Sequence, residues 1–381
     1  MKIVYILNKN NSNIIKFAIA AFLSVTIGTG ILFFPQASSN GAKNGIIFCF
    51  QVLIPSLFPF MVLSSFVVKS GISSSIGNFI NPLTKLLFNL PGCAGATILI
   101  SMIGGYPTGA KGISSLKQNN FISDKQAERM LLFCVGAGPA FVISVVGTGI
   151  LKNTNIGIIL FFSQIIASII IGIFTRIFMN SNQLINQKVT YKSNINISTA
   201  IVESTYESAF AMINMCAFVV IFYSLISIMS TSGLFNLIEL FLSQIGISRA
   251  ISNSIIQVIL EVTNGCNTAG FWGTPPEFIS FALGWAGLCI HFQIFSSTGN
   301  IKFSKIKFTF FRLIHGLLSA EITHIILKAF PNLYSKTVFF SNTEKISPSL
   351  STNILGSISL IILAVVFILS VNQQSRKSSL G

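Results

Sequence analysis

Charge is what this sequence has least of. Asp, Glu, Lys and Arg make up 9% of its 381 residues, where a soluble domain carries roughly 25%. Acids are scarcest: 9 against 24 basic residues, with Asp124 the single aspartate. No pair of carboxylates has a catalytic spacing, and neither GxSxG nor HExxH occurs, so the chain does not read as an enzyme. Three histidines and six cysteines without a CxxC pair offer no metal site or disulfide frame. Cys49, Cys93, Cys134, Cys216, Cys266 and Cys289 mostly sit in apolar runs and read as small buried hydrophobes. Neither a metal nor a cofactor is expected.

What is abundant is apolar surface, 52% of residues. A soluble chain of this length could not hide that fraction in a core, so the solvent is lipid. The fold class is all-α: a polytopic membrane protein of about eight transmembrane helices plus two re-entrant or broken helices in an inverted repeat. At about 20 apolar residues per crossing, the full spans are 14–34, 46–68, 130–151, 156–179, 207–230, 278–299, 308–330 and 352–371. The first follows Lys2, Lys9 and Lys16 and reads as a retained span, because the topology needs it, although a cleaved signal peptide is the alternative.

The net charge of +15 is spread between apolar runs rather than clustered. It points to the anionic inner leaflet of the bilayer and not to nucleic acid. With the N-terminus in the cytoplasm, Lys43, Lys152, Arg249, Lys328, Lys336 and Lys345 fall outside and the other 18 basic residues inside. Lys302, Lys305, Lys307, Arg312 and the tail Arg376-Lys377 are the strongest inside signals. The expected location is the cell membrane, with both termini cytoplasmic.

Two apolar stretches, about 71–117 and 232–276, are too rich in Gly and Pro for ordinary spans. Each is predicted to be an interfacial amphipathic helix followed by a re-entrant half-helix, since broken backbone at membrane depth must be buried in protein or line a wet cavity. Their layouts match: Ser70-Gly71 answers Ser232-Gly233, Gly104-Gly105 answers Asn264-Gly265, and Thr148-Gly149 with Lys152 answers Thr298-Gly299 with Lys302. Each copy holds three full spans, an odd number, so the second copy is inverted. The predicted organisation is 1–45, an N-terminal helix and outer loop; 46–179, the first repeat; 180–206, a cytoplasmic linker; 207–330, the second repeat; and 331–381, an outer loop and C-terminal helix.

Several residues are candidates for function. Gly104 to Lys111 lacks the GK[ST] of a phosphate loop, since Ala110 separates Gly109 from Lys111. It reads as an unwound tip whose amides and carbonyls meet a polar solute, with Lys111 as a positive charge or an interfacial anchor; the alternative is that the glycines only allow close helix contact. Glu261 and Asn264 share a helical face, and Lys111 is the natural partner of Glu261. The candidate solute-binding set is Gly105, Tyr106, Pro107, Thr108, Lys111, Pro139, Glu261, Asn264, Asn267 and Gln293. Glu321 and His324 share a face, with His315 on the other side: either a proton relay or a satisfied buried pair. His291 and Gln293, two apart, point different ways. Glu203 and Glu207 read as a solvated helix start.

Leu90-Pro91-Gly92-Cys93, Gly104-Gly105-Tyr106-Pro107-Thr108-Gly109-Ala110-Lys111, the polar turn Ser123 to Arg129, and Ala137-Gly138-Pro139-Ala140-Phe141 resemble the nucleoside-recognition, or gate-domain, membrane proteins, over about residues 46–330. Within that group the likeness is to its sporulation membrane proteins. The resemblance implies a two-copy gate architecture and a role in spore formation. Such relatives commonly carry Asn shortly before the GPAF run; Val135-Gly136-Ala137 stands here instead, which removes a polar ligand at that position. The function expected is a carrier or gate for a small polar solute, nucleoside-like or ionic, at the interface of the two copies. The alternative is a non-transporting scaffold for assembly of the spore cortex or coat. Expected partners are the lipid bilayer, the solute or a coupling ion, and a second copy or other sporulation membrane proteins.

Overall fold

In the computed structural model the described residues are 21–178, except 23, and 196–331. They form helices in one order, run through twice, with no strand among them. After α1 (Ser24–Phe33) come α2 (Pro35–Phe48) and α3 (Ile54–Lys69), joined by a π turn over Cys49–Leu53. The Ile54 amide bonds to the Cys49 carbonyl across that turn. Widening there relieves the ring of Pro55, whose missing N–H already leaves one carbonyl unpaired. The result is one apolar stretch, Pro35–Val67, of 33 residues.

The first half continues with α4 (Ile72–Phe88), α5 (Gly92–Gly104), α6 (Tyr106–Gln118), α7 (Asp124–Leu131), a π-helix over Ala140–Ile150, and α8 (Thr154–Phe178). The second half has α9 (Ile197–Thr231), α10 (Leu234–Gln244), α11 (Arg249–Leu260), α12 (Val262–Phe271), α13 (Pro276–Trp285), α14 (Gly287–Ser297) and α15 (Lys305–Ala329). The correspondence is close. Gly71 and Gly233, both at φ 79°, turn the chain from a long span into α4 and α10, and α8 and α15 both have 25 residues.

Among the described residues five helices, or six if the bent pair α4–α5 crosses as one, are long and apolar enough to span a bilayer. They answer the predicted spans at 46–68, 156–179, 207–230 and 308–330, and Pro276–Ser297 answers 278–299 in extent, with a break inside it. Their lipid face is legible: on α8, Phe162, Ile166, Ile170 and Phe174 repeat every fourth residue and are exposed, while Ser163, Gln164, Ala167 and Ser168 are buried. That is the reverse of a soluble helix, as lipid requires. Likewise α10 buries no residue and presents Leu237, Leu240, Phe241 and, just beyond it, Ile245 outward, which suits a helix lying at the interface.

Several expectations need correction. The span predicted at 130–151 is interrupted: α7 stops at Leu131, and an irregular segment containing Gly136, Gly138 and Pro139 precedes the π-helix. The span at 278–299 is also broken, at Ala286 and Gly287, with φ 72° and 69°. Each predicted single half-helix is a hairpin of two antiparallel arms, α5–α6 and α11–α12. Their 10–13 residues give arms of up to about 20 Å at 1.5 Å per residue, short of a bilayer core. The linker expected over 180–206 is already helical from Ile197. The span at 352–371, the loop beyond 331 and the start of the 14–34 span lie outside the described residues.

The halves meet through glycine. A Cβ on Gly41 would come within 2.6 Å of the Tyr223 carbonyl, and one on Gly45 within 3.0 Å of Val220 Cα, so the GxxxG face of α2 is filled by α9. The same device recurs between α13 and α15, where a Cβ on Gly284 would lie 2.5 Å from Gly316 Cα.

Candidate functional site

Breaking a helix strands carbonyls that have no amide four residues on. In α13 the break at Ala286-Gly287 frees those of Leu283 and Gly284. Both are answered from elsewhere in the fold. The Tyr106 hydroxyl, at the start of α6, donates to the Leu283 carbonyl at 2.7 Å. The Arg312 guanidinium, on α15, donates to the Gly284 carbonyl through one nitrogen and to the Val135 carbonyl, in the broken segment of the first half, through another. Arg312 is 1% exposed. One buried cation therefore serves the breaks of both halves; it is not the interfacial orientation charge expected from sequence. Its position inside the run Phe310-Phe311-Arg312-Leu313-Ile314 was the available signal, since an arginine within a span needs partners.

The hairpin tips pack on these same breaks. Gly105, at φ 79° and ψ −175°, meets Gly138: a Cβ on Gly138 would lie 2.8 Å from the Ile103 carbonyl and 3.1 Å from the Gly105 amide. In the second half a Cβ on Gly287 would lie 2.9 Å from the Val262 amide and 3.1 Å from Glu261 Cα. Glu261 stands at the second tip, where Gly105 stands at the first. Its carboxylate, 1% exposed, accepts from the amides of Thr263 at 3.0 Å and Asn264 at 2.6 Å. It caps α12, where the helix dipole also favours negative charge.

A cavity of about 350 Å³, with polar groups set among apolar ones such as Met61 and Ile100, lies beside the first hairpin, between α3, α5 and α6 of one half and α9 and α14 of the other. Ser64, Thr97, Thr108 and Ser115 line it together with Lys111, Lys69 and Glu207. Thr108 Oγ1 donates to the Gly104 carbonyl at 2.9 Å, and Lys111 Nζ reaches across to the Glu207 carbonyl at 3.3 Å. At one end of the cavity Lys69 Nζ sits 2.8 Å from carboxylate oxygens of both Glu203 and Glu207. Those two acids are thus clasped across the halves rather than merely solvated. At the other wall Ser114 Oγ donates to Asn300 Oδ1 at 2.6 Å.

Of the residues singled out from sequence, Thr108 and Lys111 line this cavity, while Gly105 and buried Tyr106 and Pro107 form the tip beside it. Pro139 caps the π-helix. Glu261 and Asn264 belong to the other hairpin, where Asn264 Nδ2 donates to Gln257 Oε1 at 2.9 Å. Asn267 is exposed on α12, and Gln293 is buried against Cys289, its Nε2 3.4 Å from the sulfur. The expected Lys111–Glu261 pairing is absent, each being bonded elsewhere. His324 pairs with Glu277 at 3.1 Å and not with Glu321, while His315 is buried with Nε2 3.2 Å from Ser168 Oγ and 3.1 Å from the Gln164 carbonyl. No chain of titratable groups joins the two histidines in the contacts of the described residues. Lys69, Gln257 and Ser114, none of them anticipated, carry no motif; only the fold brings them to their partners.

The chain is similar to the sporulation integral membrane protein YlbJ of Bacillus subtilis (strain 168). Identity is 32% over 167 residues, 44% of this chain and 41% of YlbJ. The similarity therefore spans about two fifths of that relative's length. No family model matches the chain, and no solved structure matches it.

Proposed function

We propose that this multi-pass membrane protein works in spore formation as a carrier or gate for a small polar solute, nucleoside-like or ionic, and not as an enzyme. The observation that carries the reading is the cavity of about 350 Å³ lined by hydroxyls and charges between the two halves. Charged and hydroxyl groups within a membrane protein are costly unless water or a solute meets them. The doubled order of long span, interfacial helix, hairpin, broken span and 25-residue span supports two copies of one unit. Three crossings per copy make them inverted, an arrangement that places transport sites at repeat interfaces. The gate-domain resemblance points the same way, and the name of the similar protein supplies the process. A scaffold would instead offer partners an open small-residue groove, and the GxxxG face of α2 is already occupied by α9.

In this reading both termini are cytoplasmic, so the end of the cavity closed by Lys69, Glu203 and Glu207 faces the cytoplasm. The Gly105–Gly138 and Glu261–Gly287 contacts are the places where a hairpin slides on a broken span. The test is uptake of labelled uridine, sodium and a sugar phosphate into liposomes holding the purified chain. Faster entry of one of them than into empty liposomes, reduced by Lys111→Ala and Glu261→Gln, is expected. Equal entry with and without protein for all three contradicts it.

A further inference from the structure

The chemistry of the cavity narrows its ligand. Two ammonium groups line it, and they are not equivalent. Lys69 is matched by two carboxylates at 2.8 Å, Glu203 and Glu207. Lys111, one and a half turns into α6, has the Glu207 backbone carbonyl at 3.3 Å and no carboxylate within salt-bridge distance among the described residues. Glu207 gives its carboxylate to Lys69 at 2.8 Å, while Lys111 touches only its backbone carbonyl, so the Lys111 ammonium has no carboxylate in direct contact among the described residues. Apart from Glu344, every acid of the chain is among the described residues.

Around that charge stand hydroxyls. Thr108 and Ser114 spend their protons on the Gly104 carbonyl and on Asn300 Oδ1, which leaves their oxygens able to accept from a solute. An ammonium with no carboxylate in contact can take a counter-anion through charge-assisted hydrogen bonds, and a row of accepting hydroxyls suits a molecule rich in O–H groups. We infer that the cavity takes a small hydroxylated anion, a sugar or polyol bearing a phosphate or a carboxylate, whose charged group sits on Lys111. This rests on the carrier reading only for the purpose of the site, not for its chemistry.

The test is thermal unfolding of the full chain in detergent with ribose 5-phosphate, gluconate and uncharged ribose. A saturable rise in midpoint with at least one of the two anions and none with ribose is expected, and which anion acts identifies the group. Lys111→Ala should weaken that binding at least tenfold and Lys111→Arg by only a few fold, both variants unfolding at the wild-type midpoint when no probe is added. If Lys111→Ala lowers that midpoint, Lys111→Gln takes its place. Ribose binding as tightly as the anions, anion binding indifferent to Lys111, or binding of none of the three overturns the inference. Binding of an anion that never crosses liposomes would overturn the carrier reading and leave the site; passage of ribose independent of Lys111 would do the reverse.

Discussion

The hydroxyl of Tyr106 donates to the carbonyl of Leu283 at 2.7 Å, so the tip of the hairpin in one half is fastened to the helix break in the other. Both groups need the bond. A tyrosine buried in the protein core must spend its proton, and the Leu283 carbonyl lost its helical amide when the chain turned at Ala286. Tyr106→Phe removes the donor while keeping the ring, and is expected to cost about 1 kcal/mol of unfolding free energy, the usual worth of such a bond. Denaturant unfolding in detergent measures it, and an unchanged midpoint would mean that the carbonyl finds another donor.

Arg312→Met should cost more. It leaves the Val135 and Gly284 carbonyls unanswered at once, and a stranded buried acceptor costs about 1–3 kcal/mol. A loss of about 2–5 kcal/mol is expected by the same measurement, with Arg312→Lys intermediate because an ammonium lacks the guanidinium fork. Methionine matching wild type would show that the two breaks hold without a shared cation.

The glycines at the break can be told apart by space. A Cβ on Gly138 would lie 2.8 Å from the Ile103 carbonyl, whereas one on Gly136 meets nothing within 4 Å. Gly138→Ala should therefore destabilise by about 1–3 kcal/mol, the range for overpacking a tight contact, and Gly136→Ala should fall within about 0.5 kcal/mol of wild type. Equal effects of the two would remove the close contact between hairpin tip and broken span.

The Lys69 clasp should respond to salt and to alkali. Burial pulls the Lys69 ammonium down, but Glu203 and Glu207 outweigh it, so it titrates above the ordinary 10.5. A raised value means that the contribution to stability is complete below pH 10.5 and is lost as pH climbs through the folded value. Both carboxylates are about half exposed, so each is worth at most about 1 kcal/mol. Glu203→Gln and Glu207→Gln should each lower stability slightly at low salt, with the difference shrinking in 1 M salt as screening length falls to about 3 Å. A salt-independent loss would assign the effect to packing.

How far the fold could be read from sequence depended on the kind of signal. The spans at 156–179 and 308–330 are plain because lipid demands long apolar runs, and the paired Ser-Gly turns at 70–71 and 232–233 mark two places where a long span gives way to a short helix through a glycine at φ 79°. The break inside 278–299 was hidden: Ala286 adopts φ 72°, a conformation that alanine does not advertise, and the apolar run on either side is continuous. The hairpins were half seen, because Gly and Pro mark where a helix stops but not that it doubles back. At the site, Thr108 and Lys111 stood out through local composition. The roles of Tyr106, Arg312, Lys69 and Gln257 are set by partners far along the chain, on which local spacing is silent.

Sided thiol labelling tests most directly the proposal that the interface is inverted and wet. In a chain whose six native cysteines are replaced, Ser115→Cys reports the cavity at the base of the first hairpin and Ser248→Cys the base of the second. A membrane-impermeant maleimide should reach Cys at 115 only from the cytoplasmic side and Cys at 248 only from the opposite side. Labelling of both from one side, or of position 115 from neither, would contradict two upside-down copies enclosing a watered space.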